Sequence, residues 1–302
     1  MILQRLTRPQ LSLRAAFSSP SKRFSPTNFQ KRGVFYVPQL QHEETFQKNG
    51  IPGLISPEGF SMAWTEYEGF MVHKLNLLIS GTPDAQATDT KTLLIKYARQ
   101  PDRAAYFNYA SMAHNNHFFF SSLSPTPTAI PSSLLHDINT SFSSLDSFKA
   151  TFQATASSMF GPGFVWLVSN PSRGLSILPT YLAGSPYPGA HYRQQPADLN
   201  THLTNPELMV SNTVGSFGRT SAAGKADAKR PKGGIDVIPI LCVNTWEHVW
   251  LRDFGVAGKD EFLKRWWDRI DWEKVAHKAG DVSSGSRILD GAKRGAFASS
   301  YR

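Results

Sequence analysis

One cysteine and nine histidines are the most reactive side chains in this 302-residue sequence. Cys242 lies inside the apolar run Ile238-Pro239-Ile240-Leu241-Cys242-Val243. A thiol in that setting reads as a small buried core residue, not a nucleophile. A lone thiol also cannot form an intrachain disulfide. Asn244-Thr245-Trp246-Glu247-His248 follows the same run. It sets a carboxylate beside an imidazole where a strand must give way to a helix. A second concentration is His114-Asn115-Asn116-His117, and His73 stands apart. Imidazole and carboxylate are the ligand types of a redox-active transition metal. On their own His73, His114 and His117 read as polar surface or ordinary hydrogen-bonded histidines, and the elements around these residues decide what more they could do.

Residues 52–81 read as a helix. Ser56-Pro57-Glu58 is a start signal, with Ser as the N-cap and Pro at the first helical position. Phe60, Trp64, Tyr67, Met71, Leu75 and Leu78 recur at spacings of three and four. Gly81-Thr82-Pro83-Asp84 ends it. A second helical stretch covers about residues 90–125 and closes at Leu123-Ser124-Pro125. Residues 132–160 read as two short helices, the second opening at Leu145-Asp146-Ser147-Phe148-Lys149. Gly161-Pro162-Gly163 turns into the strand Phe164 to Val168, Leu175 to Leu178 is a second strand, and Ile235 to Val243 is a third. Residues 246–254 and 259–279 are helical again.

These pieces together resemble the iron/manganese superoxide dismutases. Asn244 to His248 resembles their D-x-W-E-H signature, and Ile270-Asp271-Trp272 the I-N/D-W that comes after it. Asn115 to Pro125, Phe148-Lys149 and Gly161 to Leu167 match further family motifs. The likeness spans roughly residues 37–279 apart from a polar insertion. It implies an α+β fold: a helical hairpin domain, then an α/β domain with a three-stranded antiparallel sheet. The corresponding segments are 1–35 as a basic arm, 36–130, 131–279 with an insertion at 186–234, and a basic tail at 280–302. The family's four metal ligands fall, by ungapped superposition, on Glu66, Asn116, Asn244 and His248. Met112 takes the place of a side chain that would hold metal-bound solvent. One imidazole is left, and amides are poor ligands for a trivalent ion. The resemblance therefore implies the frame of a metalloenzyme with neither metal nor catalysis. A slip of one residue would bring His117 near a ligand position, but it would rotate the side chain by about 100° and break the match at Leu123-Ser124-Pro125. In the family, the Glu of W-E-H pairs with the histidine of a second subunit. That makes Glu247, His248 and Phe70 candidates for a dimer surface, with a local ion pair as the alternative for Glu247.

Charge adds a location and a partner class. The formal charge is +9, from 32 Lys and Arg against 23 Asp and Glu. Seven basic residues precede the first acid, Glu43. A basic, acid-free start rich in Arg, Ser and Leu fits a mitochondrial import presequence, or else a basic arm. No stretch reaches the roughly 18 apolar residues of a membrane span. The insertion and tail carry Lys225, Lys229, Arg230, Lys232, Arg287, Lys293 and Arg294, candidates to contact RNA phosphates or neighbouring proteins. Within the family, the chain looks like the superoxide dismutase-fold proteins of the fungal mitochondrial small ribosomal subunit. The expectation is a non-catalytic scaffold in the mitochondrial matrix. Its partners would be small-subunit proteins, with ribosomal RNA also possible, and a second superoxide dismutase-like chain as a heterodimer mate. An active dismutase with unusual ligands is the alternative.

Overall fold

A computed structural model describes residues 35–86, 89–98, 100–170, 174–190 and 237–280. The basic residues of the insertion and tail, Lys225, Lys229, Arg230, Lys232, Arg287, Lys293 and Arg294, lie outside the described residues. So does almost all of the N-terminal arm.

The helical half begins with α1 (Glu43–Asn49) and a tight reversal at Gly50. Gly50 has φ +67, and a Cβ there would stand 2.2 Å from the Ile55 carbonyl oxygen. Ser56 caps α2 (Pro57–Phe60) as its motif predicts, its Oγ accepting from the Gly59 N–H at 3.0 Å. The chain then winds in wide π turns over Ser61–Glu66 before α3 (Tyr67–Ile79) resumes the α geometry. Phe60, Trp64, Met71, Leu75 and Ile79 face the core.

The expected stretch at 90–125 is two helices, α4 (Thr90–Tyr97) and α5 (Ala104–Ser121). Pro101 explains the break. It has no N–H to donate and disfavours α geometry in the residue before it, so a single 3-10 turn, Pro101–Arg103, separates the helices. α5 packs against both α3 and α4. Next come α6 (Ser132–Phe142) and α7 (Leu145–Ser158), the latter capped by Ser144 Oγ on the Ser147 N–H at 3.1 Å.

The sheet has three antiparallel strands, as expected: β1 (Gly163–Asn170), β2 (Gly174–Tyr181) and β3 (Ile238–Asn244), in the order β2-β1-β3. β1 is central and almost wholly buried. Pro239, which cannot donate to a ladder, sits on the edge strand β3 beside a register shift at Leu167/Val168. The expected helix at 259–279 is interrupted. After α8 (Glu247–Phe254), α9 (Lys259–Trp267) stops and α10 (residues 272–280) starts afresh. Between them the chain is tied to the end of α5, where Asp271 N–H donates to the Ser122 carbonyl at 2.8 Å and Ser124 N–H to the Arg269 carbonyl at 2.9 Å. The I-D-W motif is thus the clasp between the two halves.

The stretch expected as an insertion from residue 186 begins later in space. Tyr187 and Ala190 are buried, and Tyr187 Oη lies 2.8 Å from His114 Nε2. Residues 186–190 therefore belong to the packed body.

Candidate functional site

Three elements converge where the ligand set was expected: α5 brings Asn116, the end of β3 brings Asn244, and the start of α3 brings Tyr67 and Glu68. Asn116 is fully buried and is the hub. Its Nδ2 donates to the Ala63 carbonyl at 3.2 Å and to Glu68 Oε2 at 3.1 Å. Its Oδ1 accepts from Asn244 Nδ2 at 3.2 Å. Asn244, also fully buried, turns its own Oδ1 to the Trp246 N–H at 2.9 Å. That bond shapes the corner from strand to helix and aims His248 inward. The His248 ring stacks on Tyr67 at 3.9 Å between centroids.

Glu66, the expected occupant of the first ligand position, is not in this cluster. It is exposed, and its Oε1 accepts from Ser61 Oγ. The π turns end at Glu66, whereas Tyr67 continues the apolar spacing that runs from Trp64 to Met71. Tyr67 and Glu68 therefore face inward. No residue of this segment carries a motif that marks the wide turns. Glu68 stands at helical spacing from the core positions Trp64 and Met71, and that was the available signal for its burial. Glu66, Phe70 and His248 do share a groove of about 520 Å³ with Tyr67 and His73. Phe70 is 40% exposed, and Lys74 lies over its ring at 5.4 Å. Glu247 is half-buried at the start of α8.

The other histidines are placed by packing. His114 is tied to Tyr187, and burial pushes its imidazole down to about 3. His117 packs near Trp64 and is pushed down to about 4, again by burial. Cys242 is fully buried, as its sequence context implies, and burial raises its thiol far above the ordinary range. Met112 is buried one helical turn before Asn116 and has no hydrogen to donate to a solvent ligand.

This donor set does not fit iron or manganese. Asn116 and Asn244 spend their amides on each other, on Glu68 and on the backbone. Burial lifts the Glu68 carboxyl well above its ordinary value, more than the Asn116 hydrogen bond lowers it. Burial drives His248 down to about 4, leaving a neutral ring. Among the described residues, no three or more His, Cys, Asp or Glu side chains come together as a metal would need. Within the cluster, the buried atoms Glu68 Oε1 and His248 Nε2 have no hydrogen-bond partner among the described residues. Unsatisfied buried polar atoms carry a cost.

That cost has a testable pH signature. The folded chain holds the Glu68 proton more tightly than the unfolded chain does. The stability from this group is full below the unfolded value of 4.5 and is lost as pH rises through the raised folded value. His248 acts in the opposite sense: its contribution is full above 6.5 and is lost as pH falls through about 4. Glu68→Gln keeps the shape and removes the proton. Its stability is expected to exceed that of the wild type above neutral pH, by about 1.4 kcal/mol for each unit of the Glu68 shift. Thermal melts across a pH series measure the gap, which is expected to close near pH 4.5. A gap that is the same at every pH would refute the assignment of a raised Glu68.

Comparison with known proteins bears on the family of the chain. The family model described as "Iron/manganese superoxide dismutases, C-terminal domain" matches residues 130–196 and 209–278. Small ribosomal subunit protein mS43 of Schizosaccharomyces pombe is 28% identical over 241 residues, 77% of this chain and 81% of that protein. Small ribosomal subunit protein mS42 of the same yeast is 31% identical over 193 residues, 62% of this chain and 71% of that protein. Superoxide dismutase [Fe] of Salmonella typhimurium is 27% identical over 232 residues, 76% of this chain and 93% of the enzyme. The sheet, the strand-to-helix corner and these relatives together place the chain in the iron/manganese superoxide dismutase family.

Proposed function

We propose that this protein is a non-catalytic structural component of the mitochondrial small ribosomal subunit, working in the matrix. The observation that carries the reading is the Asn116–Asn244 amide pair with buried Glu68 in place of a metal centre. Its likeness to small ribosomal subunit proteins mS43 and mS42 supplies the assembly. The basic, acid-free N-terminus supplies the route of import. Residues 1–35 act as the import arm, 36–130 as the helical half and 131–279 as the α/β half, while 280–302 form a basic extension. The insertion and tail reach neighbouring proteins or RNA through Lys225, Lys229, Arg230, Lys232, Arg287, Lys293 and Arg294.

The protein works as half of a heterodimer. Phe70, Glu247 and His248 lie near the groove and the strand-to-helix corner, where the family's subunits meet. A second superoxide dismutase-like chain of the same subunit is the mate, consistent with the two related ribosomal proteins that this sequence resembles.

Gradient sedimentation of mitochondrial lysate tests the assignment. The tagged full chain is expected to travel with the small subunit and to shift to lighter fractions when the ribosome is dissociated by high salt and chelator. A chain found only in the light fractions under intact-ribosome conditions would overturn it.

A further inference from the structure

A second, basic cavity shares no lining residue with the groove. It has a volume of about 290 Å³ and is lined by Gln39, Leu40, Gln41, Ser121, Lys274, His277 and Lys278. Every charged side chain on its wall is basic. Three parts of the chain build it: the segment before α1, the end of α5 and the last helix, α10. The clasp that ties α10 to α5 holds those walls together.

The two lysines differ in how they are held. Lys274 is 30% exposed, pairs with Asp271 at 3.2 Å and donates to the Ser121 carbonyl at 3.2 Å. Lys278 is drawn inward, with its Nζ 3.8 Å above the Phe118 ring and 3.3 Å from Ser122 Oγ. No carboxylate lies within ion-pair distance of Lys278 among the described residues. Burial pushes its ammonium down to about 8. A half-buried cation against an aromatic face, with no anion of its own, is stabilised by an anion from outside. Each ammonium has a further donor to give.

We propose that this cavity receives a phosphate of a single-stranded RNA backbone, with Lys274 and Lys278 on the phosphate and the Gln39 and Gln41 amides on an adjoining ribose hydroxyl. The inference rests on the ribosomal reading and names a contact for it on the folded body. RNA is favoured over an acidic peptide for two reasons. The cavity offers amides that both donate and accept beside paired ammonium groups, which suits a ribose and phosphate unit. The sequence after Lys278 also carries Arg287, Lys293, Arg294 and Arg302 against Asp281 and Asp290, a net positive charge that favours a polyanion.

The test uses the purified full chain and a uridine 12-mer, with affinity measured across a salt series. The Lys274→Gln/Lys278→Gln variant is expected to lose about tenfold or more in affinity, and its salt slope to fall by roughly 1.4, two single-strand phosphate contacts. Lys278→Arg keeps the charge and is expected to retain binding. Lys264→Gln, at an exposed position of α9, is expected to bind as the wild type does. Melting curves separate lost binding from lost folding. A folded double variant that binds like the wild type would overturn the proposal. So would equal competition by polyglutamate, which would mark the cavity as a site for acidic protein. Co-sedimentation with the small subunit is read separately. A chain that co-sediments while its double variant binds RNA normally sinks only the cavity inference, and a chain that never co-sediments sinks the ribosomal reading.

Discussion

Asn116→Ala is expected to destabilise the fold by about 3 kcal/mol or more, because it strands three buried partners at once. The Ala63 carbonyl, Glu68 Oε2 and Asn244 Nδ2 all spend a bond on this one amide. The melting temperature should fall by roughly 6 °C or more for a chain of this size. Asn244→Ala breaks the same pair from the other side, so the double variant should cost clearly less than the sum of the two singles. Thermal denaturation of the four proteins measures this. A loss under about 1 kcal/mol for Asn116→Ala would mean that the amide cluster is incidental. A loss of the expected size would show that these positions serve cohesion.

The second large effect lies in the sheet. Trp166→Ala is expected to cost about 3–5 kcal/mol. Trp166 is fully buried at the centre of β1, opposite Leu178 on one side and Cys242 on the other. Its ring meets Phe118 edge-on at 5.4 Å, joining the sheet to α5. Its Nε1–H donates to Thr180 Oγ1 at 2.9 Å. Trp166→Phe keeps most of the contact but leaves Thr180 without that donor, so a smaller loss is expected, about 1–2 kcal/mol. Chemical denaturation ranks the two. Equal losses would show that the hydrogen bond, not the packing, carries the effect.

Much of this architecture was legible in the residues. Ser56 and Leu145 announced their helices, and the alternation of glycine turns and apolar runs marked all three strands. The superposition set Asn116, Asn244 and His248 by nearby fixed motifs, Leu123-Ser124-Pro125 for the first and Trp246-Glu247-His248 for the other two, and the structure brings Asn116 and Asn244 together in one buried pair. Glu66 lies outside the cluster, and the ungapped superposition that chose it has no such anchor in α3. Glu68 was missed for the same reason. The breaks at Pro101 and at 268–271 differ in origin. The first is a proline whose cost could have been seen. The second depends on α5 meeting Ile270, a contact 147 positions distant in sequence between Leu123 and Ile270 that no local pattern encodes. Residues 186–190 read as polar loop because their burial comes from Tyr187 reaching His114, again across the chain.

The groove beside His248 shows how the same frame changes use. In an enzyme it would conduct substrate. Here it is lined by Trp64, Tyr67, Phe70 and Val72 along one helix, with Phe35, Tyr36 and Val37 opposite. These are the apolar and aromatic side chains that the proposed heterodimer would use, and Tyr67 stacks on His248 among them.

Metal content is the direct test of the account. The full chain, refolded with excess manganese or iron and then desalted, is expected to retain far less than one metal ion per chain and to consume no superoxide above the rate in buffer. One tightly held manganese or iron per chain, with superoxide consumption that Asn116→Ala abolishes, would contradict it.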